Sequence, residues 1–307
     1  MENKEVIISV RNLTKDYGKG RGIFDISFDV YKGTVFGYCG TNGSGKTTTL
    51  RNIMGFIKPN NGTVTVKGLD AWKDSDEIKK LVGYLPGEIA FPPVESGSEF
   101  LKIQAETLGL KDMSKAERII NALQLDPTAN LKRMSKGMKQ KTALVAAFMH
   151  SPEIILLDEP TTGLDPLMRD AFIRLIKEEK VRGATIIMSN HMFDELEETC
   201  DYVAFIKDGH IVDIVDLEEI HNRPYREYVV SFKNKEGFEK VDASQVEVLE
   251  TYPDYFAYLV RVPNEKIDGM FRELHKYEIR LIKEVQYTLE KYFMEKVIGG
   301  KIDGTEK

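Results

Sequence analysis

The chain has 307 residues, 42% hydrophobic and 30% charged, with a formal net charge of −6. That is an ordinary globular composition, long enough for two domains at roughly one per 150 residues. Its acidity argues against a nucleic-acid partner, which requires a basic footprint. No apolar run reaches the ~18 residues of a membrane span, and Met1-Glu2-Asn3-Lys4-Glu5 lacks the apolar core of a signal peptide, so a cytoplasmic location is expected. The cysteines, Cys39 and Cys200, lie far apart without C-x-x-C spacing and read as reduced, buried thiols.

In chain order, residues 5–11 form an opening strand, and Phe24, Ile26, Phe28 and Val30 alternate with polar neighbours as in a half-buried strand. Between them, Tyr17-Gly18 offers an aromatic ring to an adenine face. The apolar run Thr34-Val35-Phe36-Gly37-Tyr38-Cys39 reads as a buried parallel strand. It leads into Gly40-Thr41-Asn42-Gly43-Ser44-Gly45-Lys46-Thr47, a gapless match to the phosphate-binding pattern G-x-x-x-x-G-K-[ST], and Thr47-Thr48-Thr49-Leu50 then opens a helix. In that context backbone N–H groups of Gly40 to Thr48 converge on phosphate oxygens at the positive end of the helix dipole. Lys46 bridges phosphate oxygens and the Thr47 hydroxyl ligates Mg²⁺. Asn60-Asn61-Gly62 reads as a turn before an alternating strand through Val64 and Val66, which completes an antiparallel layer beside the nucleotide.

Val82–Pro86 reads as a short strand ending in the irregular apolar segment Gly87–Val94. Helical spacing then recurs through Phe100, Leu101, Ile103 and Leu108 and through Ile119, Ile120 and Leu123, a helical insertion over about 95–135. Ser135 is placed to cap the next helix. Ile154-Ile155-Leu156-Leu157-Asp158-Glu159 is a continuous apolar strand that delivers two carboxylates at its C-terminal end, where parallel sheets bind ligands. Asp158 reaches Mg²⁺ through water, and Glu159 polarises an attacking water as general base. Asp165 caps the following helix, with Pro166 at its first position. Ala184–Ser189 is a further buried strand that presents His191 to a γ-phosphate oxygen.

With these motifs in this order, residues 1 to about 220 resemble the nucleotide-binding subunit of an ATP-binding cassette (ABC) transporter. The resemblance implies a P-loop NTPase α/β core with an antiparallel β subdomain and a helical insertion, ATP and Mg²⁺ as ligands, and hydrolysis of ATP to ADP and phosphate. It matches Tyr17 to the adenine-stacking ring, Gly40–Thr47 to the phosphate loop, Ile154–Glu159 to the Mg²⁺ and catalytic strand, Thr162–Asp165 to the following loop, and His191 to the switch histidine. The family signature Leu-Ser-Gly-Gly-Gln stands here as Met134-Ser135-Lys136-Gly137-Met138, keeping Ser135 and Gly137 but not the neighbours. Gly87 occupies the place of a usual Gln, with Glu88 adjacent. The resemblance further implies a head-to-tail dimer with a second copy, in which Ser135 and Gly137 reach the γ-phosphate in trans. It also implies a separately encoded integral membrane subunit that docks on Glu88–Val94 and the helical insertion.

Past a short helix at Asp216–Ile220, residues 221–298 read as a small α+β accessory domain. Its strands lie at Tyr228–Phe232, Val246–Leu249, Tyr255–Val262 and about Ile279–Lys283, and its helices at Ile267–Lys276 and Leu289–Val297. Residues 299–307 read as a frayed tail. The expectation is an ATP-hydrolysing subunit of an export transporter. The competing expectation is a soluble cassette ATPase acting on a ribosome or an assembly complex, although ribosome-acting relatives usually carry paired cassettes, and only one set of motifs is present.

Overall fold

The computed structural model describes residues 4–241 and 246–297, and the described residues divide into two compact units, one ending at Leu217 and one starting at Glu218. The expected tail at 299–307 lies outside the described residues. No described helix is long and apolar enough to cross a membrane.

In the first unit, β1 (Val6–Asp16) pairs antiparallel with β2 (Gly22–Tyr31). Strand β3 (Val35–Cys39) runs straight into the phosphate loop and α1 (Lys46–Ile53). Next come β4 (Asn61–Val66), β5 (Leu69–Asp70), α2 (Ser75–Leu81) and β6 (Val82–Leu85). The insertion comprises α3 (Gly97–Thr107), capped by the Ser96 hydroxyl, and α4 (Ser114–Ala122). Then follow α5 (Lys136–Phe148), β7 (Ile154–Asp158), α6 (Pro166–Val181), β8 (Thr185–Asn190), α7 (Phe193–Thr199), β9 (Tyr202–Lys207) and β10 (His210–Asp216), with α8 (Leu217–His221) at the junction.

These strands form two sheets. One is antiparallel in the order β2-β1-β4-β5, and the other runs β10-β9-β3-β8-β7-β6. In the second, β9, β3, β8, β7 and β6 are parallel and only the edge strand β10 is antiparallel. Every residue of β3, β7 and β8 is buried, as expected where helices cover both faces of a parallel sheet. The antiparallel sheet closes over the nucleotide-loop side, and Ile8, Val10, Leu13, Ile23, Ile26 and Val30 share one core with Tyr38, Leu50, Ile53 and Leu156. The C-terminal ends of β3, β7 and β8 therefore open on one side, the side where ligands of such sheets bind.

Two local expectations are corrected. The turn expected at Asn60-Asn61-Gly62 is confined to a bend at Asn60, and Asn61-Gly62 already begin β4: Asn12 at φ 48 bulges the facing strand, and Gly62, at φ 83, lies so close that a Cβ would meet the Asn12 carbonyl oxygen at 2.4 Å. In β2 the left-handed Asp25 shifts the alternation, so Ile23 rather than Phe24 is fully buried.

The second unit is a four-stranded antiparallel sheet in the order β12-β13-β11-β14, built from β11 (Tyr225–Phe232), β12 (Glu247–Tyr252), β13 (Ala257–Pro263) and β14 (Ile279–Val285). Its helices are α9 (Lys235–Lys240), α10 (Ile267–Leu274) and α11 (Leu289–Tyr292), the last continued by a wider turn over Phe293–Val297. Tyr228, Val230, Phe232, Val260, Val262, Met270 and Leu274 form its own core. Helix α9 escapes the hydrophobic pattern; its sequence signal is Asn234, whose side chain accepts from Gly237 N–H as an N-cap.

Both cysteines are buried, and burial pushes the Cys39 and Cys200 thiols up to about 12. At pH 8 only ~10⁻⁴ of each would be thiolate. Iodoacetamide at that pH is therefore expected to leave both unmodified in the folded protein and to alkylate both once it is unfolded in urea, as read by mass spectrometry.

Candidate functional site

The loop that follows β3 cannot be built from ordinary residues. Gly45 sits at φ 113 as the N-cap of α1, and a Cβ there would strike Ile23 Cγ2 at 2.4 Å. No side chain caps this helix, so its first-turn N–H groups are left for a ligand. A cavity of about 550 Å³ opens there, within the usual range for small-molecule sites. Among the residues picked out from the sequence, Tyr17, Asn42, Gly43, Gly45, Lys46, Thr47, Thr48, Asp158 and Glu159 line it.

Charge is tightly organised at its floor. Lys46 is 5% exposed; its Nζ donates to the carbonyls of Gly40 at 2.7 Å and Thr41 at 3.3 Å and pairs with Glu159 Oε1 at 3.4 Å. Asp158 at the end of β7 has no exposed surface, and both carboxylate oxygens are occupied. Thr47 Oγ1 donates to Oδ2 at 2.6 Å, and Ser189 Oγ on β8 donates to Oδ1 at 2.6 Å. Glu159 takes a left-handed backbone at φ 48, held there because its N–H donates to Ser189 O at 3.1 Å and Oγ at 3.0 Å. From α5, the buried Gln140 Nε2 donates to the carbonyls of Glu159 at 3.3 Å and Pro160 at 2.8 Å. Beside this group, burial followed by the Asp158 charge pushes the Tyr84 hydroxyl up to about 12, so it stays protonated.

The remaining expected residues lie elsewhere. Gly40 and Ser44 form the underside of the loop, where a Cβ on Gly40 would meet Ser44 Oγ at 2.6 Å. His191 follows β8 and is exposed, its N–H donating to Asn190 Oδ1 at 2.7 Å. Ser135 is exposed and caps α5 by accepting from Met138 N–H at 3.2 Å. Gly137 packs on the loop after β7, so closely that a Cβ would sit 2.6 Å from the Gly163 carbonyl oxygen. Ser135, Gly137 and His191 are not part of the cavity wall of their own chain.

The cavity also brings in Arg21, Gly22 and Arg51, which the motif reading passed over. Arg51 lies one helical turn after Thr47, so helical spacing counted from the phosphate loop finds it. Arg21 follows Tyr17 in the β1–β2 loop, and only the folding of that loop brings it to the cavity as a third cation beside Lys46 and Arg51. Gly87 and Glu88 complete the wall. A Cβ on Gly87 would come within 2.8 Å of Asp158 Oδ2 and 3.1 Å of its Cγ, so the loop rests directly on the buried carboxylate and has no space for a side chain.

Gly87→Ala is thus expected to displace Asp158 and weaken binding of a nucleotide–Mg²⁺ complex, by about 1–3 kcal/mol if the cost resembles overpacking of a filled core. Isothermal titration against Mg-ATP checks this. Unchanged affinity would mean that the loop moves aside without cost.

Residues 23–162 match the family model described as ABC transporter. The chain is 30% identical over 306 residues to the bacitracin transport ATP-binding protein BcrA of Bacillus licheniformis, covering 96% of this chain and 99% of that one. It is 33% identical over 222 residues to the linearmycin resistance ATP-binding protein LnrL of Bacillus subtilis, covering 71% of each. A solved ATP-binding subunit of an ABC transporter superposes with a TM-score of 0.63 at 28% identity over 70% of this chain and 92% of its own. The dimeric post-hydrolysis cassette MJ0796 bound to ADP and Pi shares the fold, with a TM-score of 0.61 at 23% identity over 69% and 99% of the two chains. Matched almost end to end by one ATP-binding subunit and sharing the fold of others, the chain belongs to the ABC transporter family, as one of its ATP-binding ATPase subunits.

Proposed function

We propose that this subunit hydrolyses ATP to drive an exporter whose membrane-spanning part is a separate chain. The observation that carries the reading is the convergence of Lys46, Thr47, Asp158 and Glu159 on one cavity at an uncapped helix N-terminus. ATP enters with its triphosphate on the N–H groups of Gly43 to Thr48 and with adenine against Tyr17, whose ring is half exposed and has Lys15 Nζ 5.6 Å from its centroid. Lys46 leaves its carbonyl partners and Glu159 for phosphate oxygens, which frees the Glu159 carboxylate. Glu159 then holds the attacking water in line and accepts its proton. His191 contacts the γ-phosphate from the end of β8.

A hydroxyl and a carboxylate oxygen within 2.6 Å of each other are a donor pair suited to a hard cation that keeps part of its water. Thr47 and Asp158 would hold Mg²⁺, which when bound supplies charge neutralisation on the phosphates. Among the described residues there is no larger cluster of ligating side chains.

Ser135 and Gly137 stand outside their own chain's cavity, which supports their use in a second copy's site, with ATP held between two head-to-tail subunits. The membrane subunit docks along Glu88–Val94 and α3. There Phe91 packs edge-on against Phe100, with ring centroids 4.8 Å apart, and Ile103 of α3 and its C-cap Leu108 are exposed. Export, with an antimicrobial compound as cargo, is favoured by the relatives named for bacitracin transport and linearmycin resistance. The first of these aligns well beyond the cassette into the second unit, whose role we take to be dimer contact or regulation.

Glu159→Gln is expected to lower steady-state phosphate release by about 10²–10⁴-fold while ATP binding survives; a rate equal to that of the unaltered protein would sink the catalytic assignment. Affinity purification from detergent-solubilised membranes is expected to bring down an integral membrane protein in stoichiometric yield. Recovery of ribosomal or other soluble partners alone would replace the transport reading and leave the ATPase standing.

A further inference from the structure

Glu195, in the first turn of α7, is a carboxylate only 4% exposed and remote from the phosphate loop in sequence. Its Oε2 accepts from the Thr161 hydroxyl at 2.7 Å and from the Asn190 amide Nδ2 at 2.5 Å. Thr161 is two residues beyond Glu159, in the loop that ends at the helix cap Asp165. Asn190 is the residue before His191, and its Oδ1 in turn accepts from the N–H groups of His191 at 2.7 Å and Met192 at 3.0 Å. One buried oxygen therefore ties the loop behind the general base to the backbone that carries the histidine. The other oxygen, Oε1, faces Arg169 Nε of α6 at 3.8 Å, and neither of these atoms has a hydrogen-bond partner.

Burying a carboxylate is costly unless it is met, and with the Arg169 pair as long as 3.8 Å the two short hydrogen bonds to Oε2 supply most of the compensation, so both partners are held firmly. We infer that Glu195 is a positioning residue that holds the 159–165 loop and His191 in a fixed relation, so that the water-activating carboxylate and the γ-phosphate contact move as one unit. The inference rests on the hydrolytic reading given above.

The charge strengthens both bonds to Oε2. In Gln the remaining oxygen either stays toward Thr161 and Asn190 as a neutral, weaker acceptor, or turns to Arg169 and leaves the NH₂ group facing the Asn190 amide donor. Glu195→Gln keeps the volume of the side chain and weakens or breaks the junction.

The test compares the intact subunit with E195Q, T161V and the double variant, measuring phosphate release against Mg-ATP concentration together with the thermal midpoint of each. E195Q is expected to lower kcat by about tenfold or more, the scale of a small misplacement transmitted to a reacting group, with KM for ATP within about twofold. T161V, which removes only the hydroxyl at unchanged volume, is expected to lower kcat about threefold at constant KM. The double variant is expected to be no slower than E195Q, because the two groups act through one junction.

Costs that multiply in the double variant, a rise in KM equal to the fall in kcat, or an E195Q rate equal to that of the unaltered subunit would each overturn the inference. If E195Q does not fold, T161V decides: an unchanged kcat overturns it. Absence of hydrolysis by the unaltered subunit would instead overturn the hydrolytic reading, which separates the two failures.

Discussion

The arrangement depends on a carboxylate buried without access to water. Asp158 would be prohibitively costly at the end of an apolar strand unless both oxygens were met. They are met by hydroxyls from different parts of the chain, Thr47 from the first turn of α1 and Ser189 from β8. That requirement fixes the phosphate loop against the central sheet and brings three parallel strand ends to one point. The same Ser189 hydroxyl receives the Glu159 N–H, so the strained backbone of Glu159 is set by the residue that satisfies its neighbour.

The resting arrangement is also self-satisfied in charge. Lys46, nearly buried, is held by carbonyls of its own loop and by Glu159. A bound anion would compete with that carboxylate for the lysine, which ties occupancy of the cavity to the Lys46–Glu159 pair. The loop at Gly87 lies against Asp158 Oδ2, where a Cβ would come within 2.8 Å of that oxygen. Glu88 lines the cavity from the same segment.

The loop after β7 is the meeting place of several elements. Gln140 of α5 holds its first carbonyls, Gly137 packs on Gly163, and Thr161 joins Glu195 and through it Asn190. The helix capped by Ser135 is thereby seated on the loop that follows Glu159. The second unit is a separate small fold with its own core.

The amino-acid sequence by itself determined the nucleotide chemistry. A gapless phosphate loop, an apolar run ending in Asp158-Glu159 and a buried strand leading to His191 are local patterns, and local patterns are written in consecutive residues. Continuous apolar strands likewise announced the parallel sheet, and the caps Ser135 and Asp165 marked helix starts because capping is a contact across three residues. What consecutive residues do not carry is distance between remote segments. Only the folded chain places Arg21 in the cavity, aligns Ser189 between two acidic residues and joins Glu195 to Thr161 and Asn190. The turn expected at Asn60-Asn61-Gly62 is confined to Asn60 for the same reason: a bulge at Asn12, in another strand, decided what that glycine is for. Side chains that satisfy buried charge are chosen by their neighbours in space, and those neighbours exist only once the sheet has formed.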